Sequence, residues 1–253
     1  LLERNRLAGK ALLETGKIRY GNYPAAPFSV PALQWNENPF ANLTNLQFLY
    51  DASPRMGTGN QTQHMLTFQP VIPFRAWGAS NILRVVVPYQ VGGPGSEGLK
   101  SVSIFDIVVL PRKWGRLAIG PVMSLEESES ARPAKFSIGP AVGATMPVSK
   151  ILNLGLFNQN LFGDGVAITQ LQPIVAYQLG NGWALSAGDL QFTFDWERGE
   201  FVAIPIGFQI GVVRAVAGQP VRFALNPQWN LKNIPGATKT KLVFTVTLLA
   251  PAK

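Results

Sequence analysis

The stretch MLTFQPVIPF, Met65 to Phe74, alternates its side chains as a half-buried strand does, yet it carries two prolines. Proline has no backbone N–H and is ordinarily confined to sheet edges or bulges. The combination returns as IGPVMS at Ile119, IGPAVG at Ile138, LQPIVAY at Leu171, AIPIGF at Ala203 and LNPQWN at Leu225. A sheet with a proline in so many strands must bend or bulge at those points. A closed, curved sheet is the architecture that needs such bends.

From residue 43 onward, alternating segments of 8 to 12 residues or slightly more follow one another with turn signals between them. Twelve are counted, at 43–52, 63–74, 81–90, 101–110, 115–125, 134–146, 151–160, 167–179, 183–195, 201–213, 219–229 and 240–250. The even number suits an up-and-down barrel. Connections 53–62, 90–100 and 126–133 are long, whereas 75–80, 111–114, 147–150 and 180–182 are short. Long loops on one rim and tight turns on the other are the outer-membrane pattern. Trp77, Trp114 and Trp183 adjoin short turns, where an interfacial aromatic girdle would sit. The connection at 161–166 is short for an outer loop.

Residues 1–42 differ from the rest: 3–15 predicts a short helix, and YPAAPFSVPALQW after it is too rich in proline for regular structure. The expected organisation is an N-terminal segment over 1–42, serving as a plug or docking arm, and a barrel over 43–253. No signal peptide is visible at the start, so either the protein is not exported or this is a mature chain with the signal removed, and the latter is expected here.

Composition agrees with a protein whose surface meets something other than water. Of the 253 residues, 47% are hydrophobic and only 14% charged, where about 25% is usual. No apolar run reaches the roughly 18–20 residues of a membrane helix. The absence of cysteine excludes a disulfide scaffold and a cysteine-bound metal. The net charge of +8 is scattered along the chain, without a nucleic-acid-binding module.

Leu66, Phe68, Pro70, Ile72 and Phe74 share one face of their segment, opposite Met65, Thr67, Gln69 and Val71. The split recurs later, and the prolines fall mostly on the apolar face. Parity assigns Gln69, Arg84, Asp106, Arg116, Lys135, Gln170, Gln172, Asp195, Arg222 and Gln228 to a polar face, expected to line a lumen. Alternation alone does not say which face meets water. A soluble barrel would carry Lys and Glu on its polar face, whereas here Gln, Gly and Ser dominate.

The motifs NPFANL at Asn38, FQPVIPF at Phe68, WGRLAIGPV at Trp114, AKFSIGPAV at Ala134, LQPIVAYQLGNGWAL at Leu171, FDWE at Phe194 and GQPVRFALNPQWN at Gly218 occur in order. In them the chain resembles a family of bacterial outer-membrane channels named after the MetA pathway of phenol degradation, some of them labelled neuromedin U-like. The resemblance implies a twelve-stranded transmembrane barrel admitting small hydrophobic or aromatic molecules. The chain departs from the family at GLKSVSIFD, where Asp106 arrives late, and at its end, LLAPAK, where an aromatic is usual.

The expected function is therefore passive uptake of small solutes through a bacterial outer membrane. The expected partners are outer-membrane lipid, a small-molecule solute and, through 1–42, a protein. The alternative is a structural outer-membrane barrel that anchors a periplasmic or surface partner without transporting. No enzymatic role, cofactor, metal site or nucleic-acid partner is expected. His64 is the sole histidine, so a Ser-His-Asp site would have to use it. Its plainer reading is a polar residue at a strand end. Glu126, Glu127 and Glu129 read as a solvated outer loop rather than a cation site. Asp106 and Asp195 are expected to neutralise Arg84 or Arg116 across the lumen.

Overall fold

A computed structural model describes residues 43–56, 61–95, 97–126, 134–232 and 238–251. The helix expected at 3–15 and the plug expected over 1–42 lie outside these residues. The strands are β1 Leu43–Met56, β2 Gln61–Ala76, β3 Ala79–Gly92, β4 Gly98–Leu99, β5 Ser101–Arg112, β6 Gly115–Glu126, β7 Lys135–Pro147 and β8 Leu152–Gly163. They continue as β9 Val166–Gly180, β10 Trp183–Ser186, β11 Phe192–Asp195, β12 Glu200–Ala203, β13 Pro205–Gly207, β14 Gln209–Val216, β15 Gln219–Asn230 and β16 Thr240–Pro251.

Each pairs antiparallel with its neighbours; β16 returns to β1, and β9 pairs β10, so the sheet closes. β10 and β11 both pair β9 and form two halves of one stave. β12, β13 and β14 are successive pieces of the next stave, and β4 pairs only β3. The result is a twelve-stave antiparallel barrel, whose staves coincide closely with the segments expected from alternation. Closure leaves no open edge, the requirement for strands in a bilayer.

The turns Trp77–Gly78, Asn181–Gly182 and Ala217–Gly218 have positive φ at both residues, at 50° and 75°, 51° and 79°, and 49° and 81°. These are two-residue hairpins of the type that matches strand twist. They occupy the rim where β1 begins and β16 ends, together with the connections at 113–114 and 148–151. The other rim has longer connections at 93–100, 127–134 and 231–239, a four-residue one at 196–199 and a tight one at 164–165. The connections expected to be long at 90–100 and 126–133 are long, whereas that expected at 53–62 narrows to 57–60, which lie outside the described residues; the alternation weakens where the sequence also shows a short loop.

The ambiguity of the two faces is resolved by burial. Phe68 is 40% exposed while Gln69 is 5%, and Leu156 is 46% exposed while Asn153 is 1%. Amides point inward and apolar side chains outward. The barrel is therefore inside-out relative to a soluble one. Its interior is not uniformly polar. Phe105 on β5 and Phe157 on β8, strands that do not pair, bring their rings within 6.2 Å across the inside. Ile82, Ile107, Val122 and Leu161 join them in a buried apolar cluster that fills one side of the barrel.

The prolines are accommodated differently from the expected bulges. β2–β3 pairing runs from Phe68↔Val87 to Val71↔Arg84, omitting Pro70. β5–β6 pairing omits Pro121 between Phe105↔Val122 and Val108↔Ile119, and β7–β8 pairing omits Pro140 between Ile138↔Phe162 and Ala141↔Gln159. The register is the same on both sides of each gap, so no residue is inserted; the ladder simply lapses where the donor is missing. The glycine of each IGP motif belongs to the same device. A Cβ on Gly120 would stand 1.9 Å from the Asp106 carbonyl oxygen, and one on Gly139 would stand 2.1 Å from that of Asn160. Glycine admits the neighbouring backbone, and proline makes no demand on it. Register shifts do occur elsewhere, including Ser53/Met56 and His64/Met65.

Candidate functional site

The barrel wall is interrupted once in a way that shapes its interior. On β9, residues 168–171 pair β11 and 176–180 pair β10, while the stretch between them, which contains Pro173, pairs neither. Ala187 still donates its N–H to the Val175 carbonyl oxygen at 3.0 Å, and opposite the rest of that stretch residues 188–191 leave the wall and carry Asp189 inward. Gly188 has φ 68°, and a Cβ on it would lie 2.8 Å from Nδ2 of Asn226. A larger residue would have neither the conformation nor the room. Leu190 beside it is buried.

Asp189 is carried into the lumen by this segment. Gln172 Nε2 donates to its Oδ1 at 3.0 Å, and Arg84 Nη2 lies 3.9 Å from the same oxygen. Arg84 belongs to β3, which stands six staves from β10 in either direction around the barrel. The segment thus meets the diametrically opposite wall. Arg84 Nη2 also donates to Gln69 Oε1 at 3.1 Å, and Gln69 Nε2 donates to Gln47 Oε1 at 3.2 Å. The guanidinium lies over the Phe105 ring, 5.5 Å from its centroid, a cation–π contact at the border of the apolar cluster.

Two spaces meet at Asp189. One is lined by Asn45, Gln47, Gln69, Arg84, Gln172, Gln209 and Arg222, with Val71, Ile174 and Val175, and has a cavity volume of about 70 Å³. The other, toward the long-loop rim, is lined by Gln191, Thr193, Gln228, Asn230, Lys239 and Lys241 and has a cavity volume of about 220 Å³. At its inner margin Lys241 Nζ and Asp51 Oδ2 form an ion pair at 2.6 Å.

Of the residues expected to line a lumen, Gln69, Arg84, Gln172 and Arg222 surround the first space and Gln228 the second. Gln159 Nε2 donates to Gln170 Oε1 at 2.6 Å on the inner wall. Arg116 shares the inward parity of Ala118 and Val122, near the tight-turn rim. Lys135 pairs in register with Glu126 at the long-loop mouth. Asp195 stands at that same mouth, where its Oδ1 accepts from the backbone N–H groups of Glu197 and Arg198 and its Oδ2 lies 3.4 Å from Arg198 Nε. It caps a turn and neutralises neither Arg84 nor Arg116.

Asp106 requires a correction. It pairs with Leu83 and shares the side of Ile104 and Val108, while Phe105 and Ile107 point inward. It lies on the outer side of the wall. Polar type misled the assignment because both faces of β5 are apolar. The counter-charge of Arg84 is Asp189, which was not among the expected residues. Its signal was SAGD at Ser186, a run of turn-forming residues that breaks the alternation of the ninth segment.

Trp77 is 93% exposed at its turn, and Trp114 and Trp183 stand out from the same rim. Arg214 lies over the Trp183 ring at 5.7 Å. Trp196 and Trp229 are exposed near the opposite rim, a second aromatic set not singled out in the sequence. Tyr50 Oη and His64 Nδ1 are 2.7 Å apart on the outer face. Glu126 ends β6, while Glu127 and Glu129 lie outside the described residues. Among the described residues, no group of three or more His, Cys, Asp or Glu side chains is placed to hold a metal ion.

Among solved structures, the chain is similar to the COG4313 outer membrane channel from Pseudomonas putida F1, with 10% identity and TM-score 0.54 over 92% of this chain and 100% of that one. It is also similar to the KdgM porin, with 12% identity and TM-score 0.52 over 81% and 98%. A KdgM porin in complex with disordered oligogalacturonate matches with 11% identity and TM-score 0.51 over 81% and 98%. No family model and no curated protein matches the sequence, so the MetA-pathway family stands as a resemblance carried by its motifs. At these identities the likeness concerns the fold, and the fold is that of bacterial outer-membrane barrels.

Proposed function

We propose that the protein is a narrow passive channel of the bacterial outer membrane for small solutes, including hydrophobic or aromatic ones. The observation that carries this reading is the inside-out barrel with a polar, arginine-bearing chamber at its centre. Such an interior has no use in a barrel surrounded by water, and twelve staves lie between filled eight-stranded barrels and open porins. Gln69, Arg84, Arg116, Lys135, Gln170, Gln172, Arg222 and Gln228 form the permeation wall in this reading. Trp77, Trp114 and Trp183 anchor the tight-turn rim at the lipid boundary. Channels sharing the fold, among them the porin seen with oligogalacturonate, support it.

The test is uptake into liposomes by the full chain and by a version lacking residues 1–42, with small aromatic, sugar and ionic solutes beside empty vesicles. Solute-selective entry is expected. Faster entry for the truncated chain is the result expected of a plug. A second reading, a closed barrel anchoring a protein partner through 1–42, draws support from the apolar cluster that fills one side of the interior. No entry by either version, with a partner retained only by the full chain, would favour it.

A further inference from the structure

We propose that the chamber at Arg84 binds the carboxylate of a small solute with a compact apolar body, and that Asp189 holds this place when the chamber is empty. The proposal rests on the channel reading and adds the chemical class of the solute and the group it displaces.

The first support is the quality of the resident pair. Arg84 presents a planar fork suited to two carboxylate oxygens, yet Asp189 approaches only Nη2, at 3.9 Å, beyond hydrogen-bonding distance. Arg84 Nε is buried and has no hydrogen-bond partner. A buried donor of this kind is costly unless something fills it. The second support is the way Asp189 arrives. Its segment is admitted by Gly188 and, beyond Ala187, whose N–H donates to the Val175 carbonyl oxygen at 3.0 Å, lies outside the strand pairing, so withdrawal of the Asp189 side chain breaks no ladder bond. The Asp189 side chain remains 43% exposed between the two spaces, while that of Arg84 is 13% exposed.

The third support is the lining, where Arg84 and Arg222 stand beside Asp189. Around them, Val71, Ile174 and Val175 line the chamber and Phe105 lies beneath the Arg84 guanidinium. This favours an aromatic or short branched carboxylate over a polyhydroxylated one. The competition lowers apparent affinity by the fraction of time Asp189 leaves Arg84 available.

A pair that merely braces an inward loop makes the opposite prediction, so the two accounts separate cleanly. Benzoate and benzyl alcohol, alike except for the carboxylate, are titrated by calorimetry into the purified full chain in detergent. Asp189→Asn should tighten benzoate by about tenfold or more, the occupancy penalty being removed, and leave benzyl alcohol unchanged. Arg84→Gln should abolish benzoate binding in both backgrounds, and Arg84→Lys, which keeps charge but loses the fork, should weaken it. Strand content by circular dichroism establishes that each variant is folded. Equal benzoate affinity in the parent and Asp189→Asn, or a gain shared by benzyl alcohol, would overturn the proposal. Binding needs no membrane: benzoate bound as expected but not admitted to liposomes would sink the channel reading alone, and admission without the expected gain would sink this inference alone.

Discussion

Arginine placed on the outer wall should destabilise the barrel according to depth rather than exposure. β7 has thirteen residues centred on Ala141, and its outward side chains include Val142 and Met146. With a rise of about 3.3 Å per residue and a tilt of about 40°, Val142 lies about 2.5 Å from the strand's mid-height and Met146 about 13 Å from it. An apolar band about 25 Å tall therefore has Val142 near its centre and Met146 at its boundary. The two are almost equally exposed, at 41% and 44%, so a barrel surrounded by water would register either arginine within about 0.5 kcal/mol. In a bilayer, Val142→Arg should cost about 2–4 kcal/mol and Met146→Arg about 0–1 kcal/mol. Urea unfolding in lipid vesicles, followed by tryptophan fluorescence, measures both. Equal losses at the two positions would refute the transmembrane placement.

Gly139→Ala should lower stability by about 1–3 kcal/mol or prevent assembly, because its methyl would stand 2.1 Å from the Asn160 carbonyl oxygen; gel mobility of the unheated protein reports it. Arg84→Glu should reduce or reverse any anion preference, and an unchanged reversal potential in a salt gradient would count against a lumenal role for Arg84. Asn181→Val should cost about 1–2 kcal/mol, since a β-branched residue is placed at φ 51°; thermal unfolding measures the loss. Lys241→Met should leave Asp51 a buried carboxylate held only by Ser53 Oγ and shift selectivity at the long-loop mouth toward cations, read as a change in reversal potential.

The period of two was enough to place the staves, because each residue of a strand must face one side or the other and the contrast between Phe68 and Gln69, or Phe136 and Ser137, is strong. The same rule failed at Asp106. Phe105 and Ile107 point inward while Ile104 and Val108 point outward, so local polarity held no contrast from which parity could be read. The tight turns were legible as well, since Asn181–Gly182 and Ala217–Gly218 are followed at once by a new strand.

Sequence alone determined that this chain makes a closed sheet of about twelve strands, most of them proline-bearing, because backbone donors, pleat and turn chemistry are local properties. Only the tertiary structure decided which face met water, since alternation is symmetric under exchange of inside and outside. It also decided that the IGP motifs open the ladder without shifting it, which depends on a carbonyl of the neighbouring strand. The meeting of Asp189 with Arg84 belongs to this second kind: the residues are far apart in the chain, and barrel closure brings them across the lumen from opposite walls.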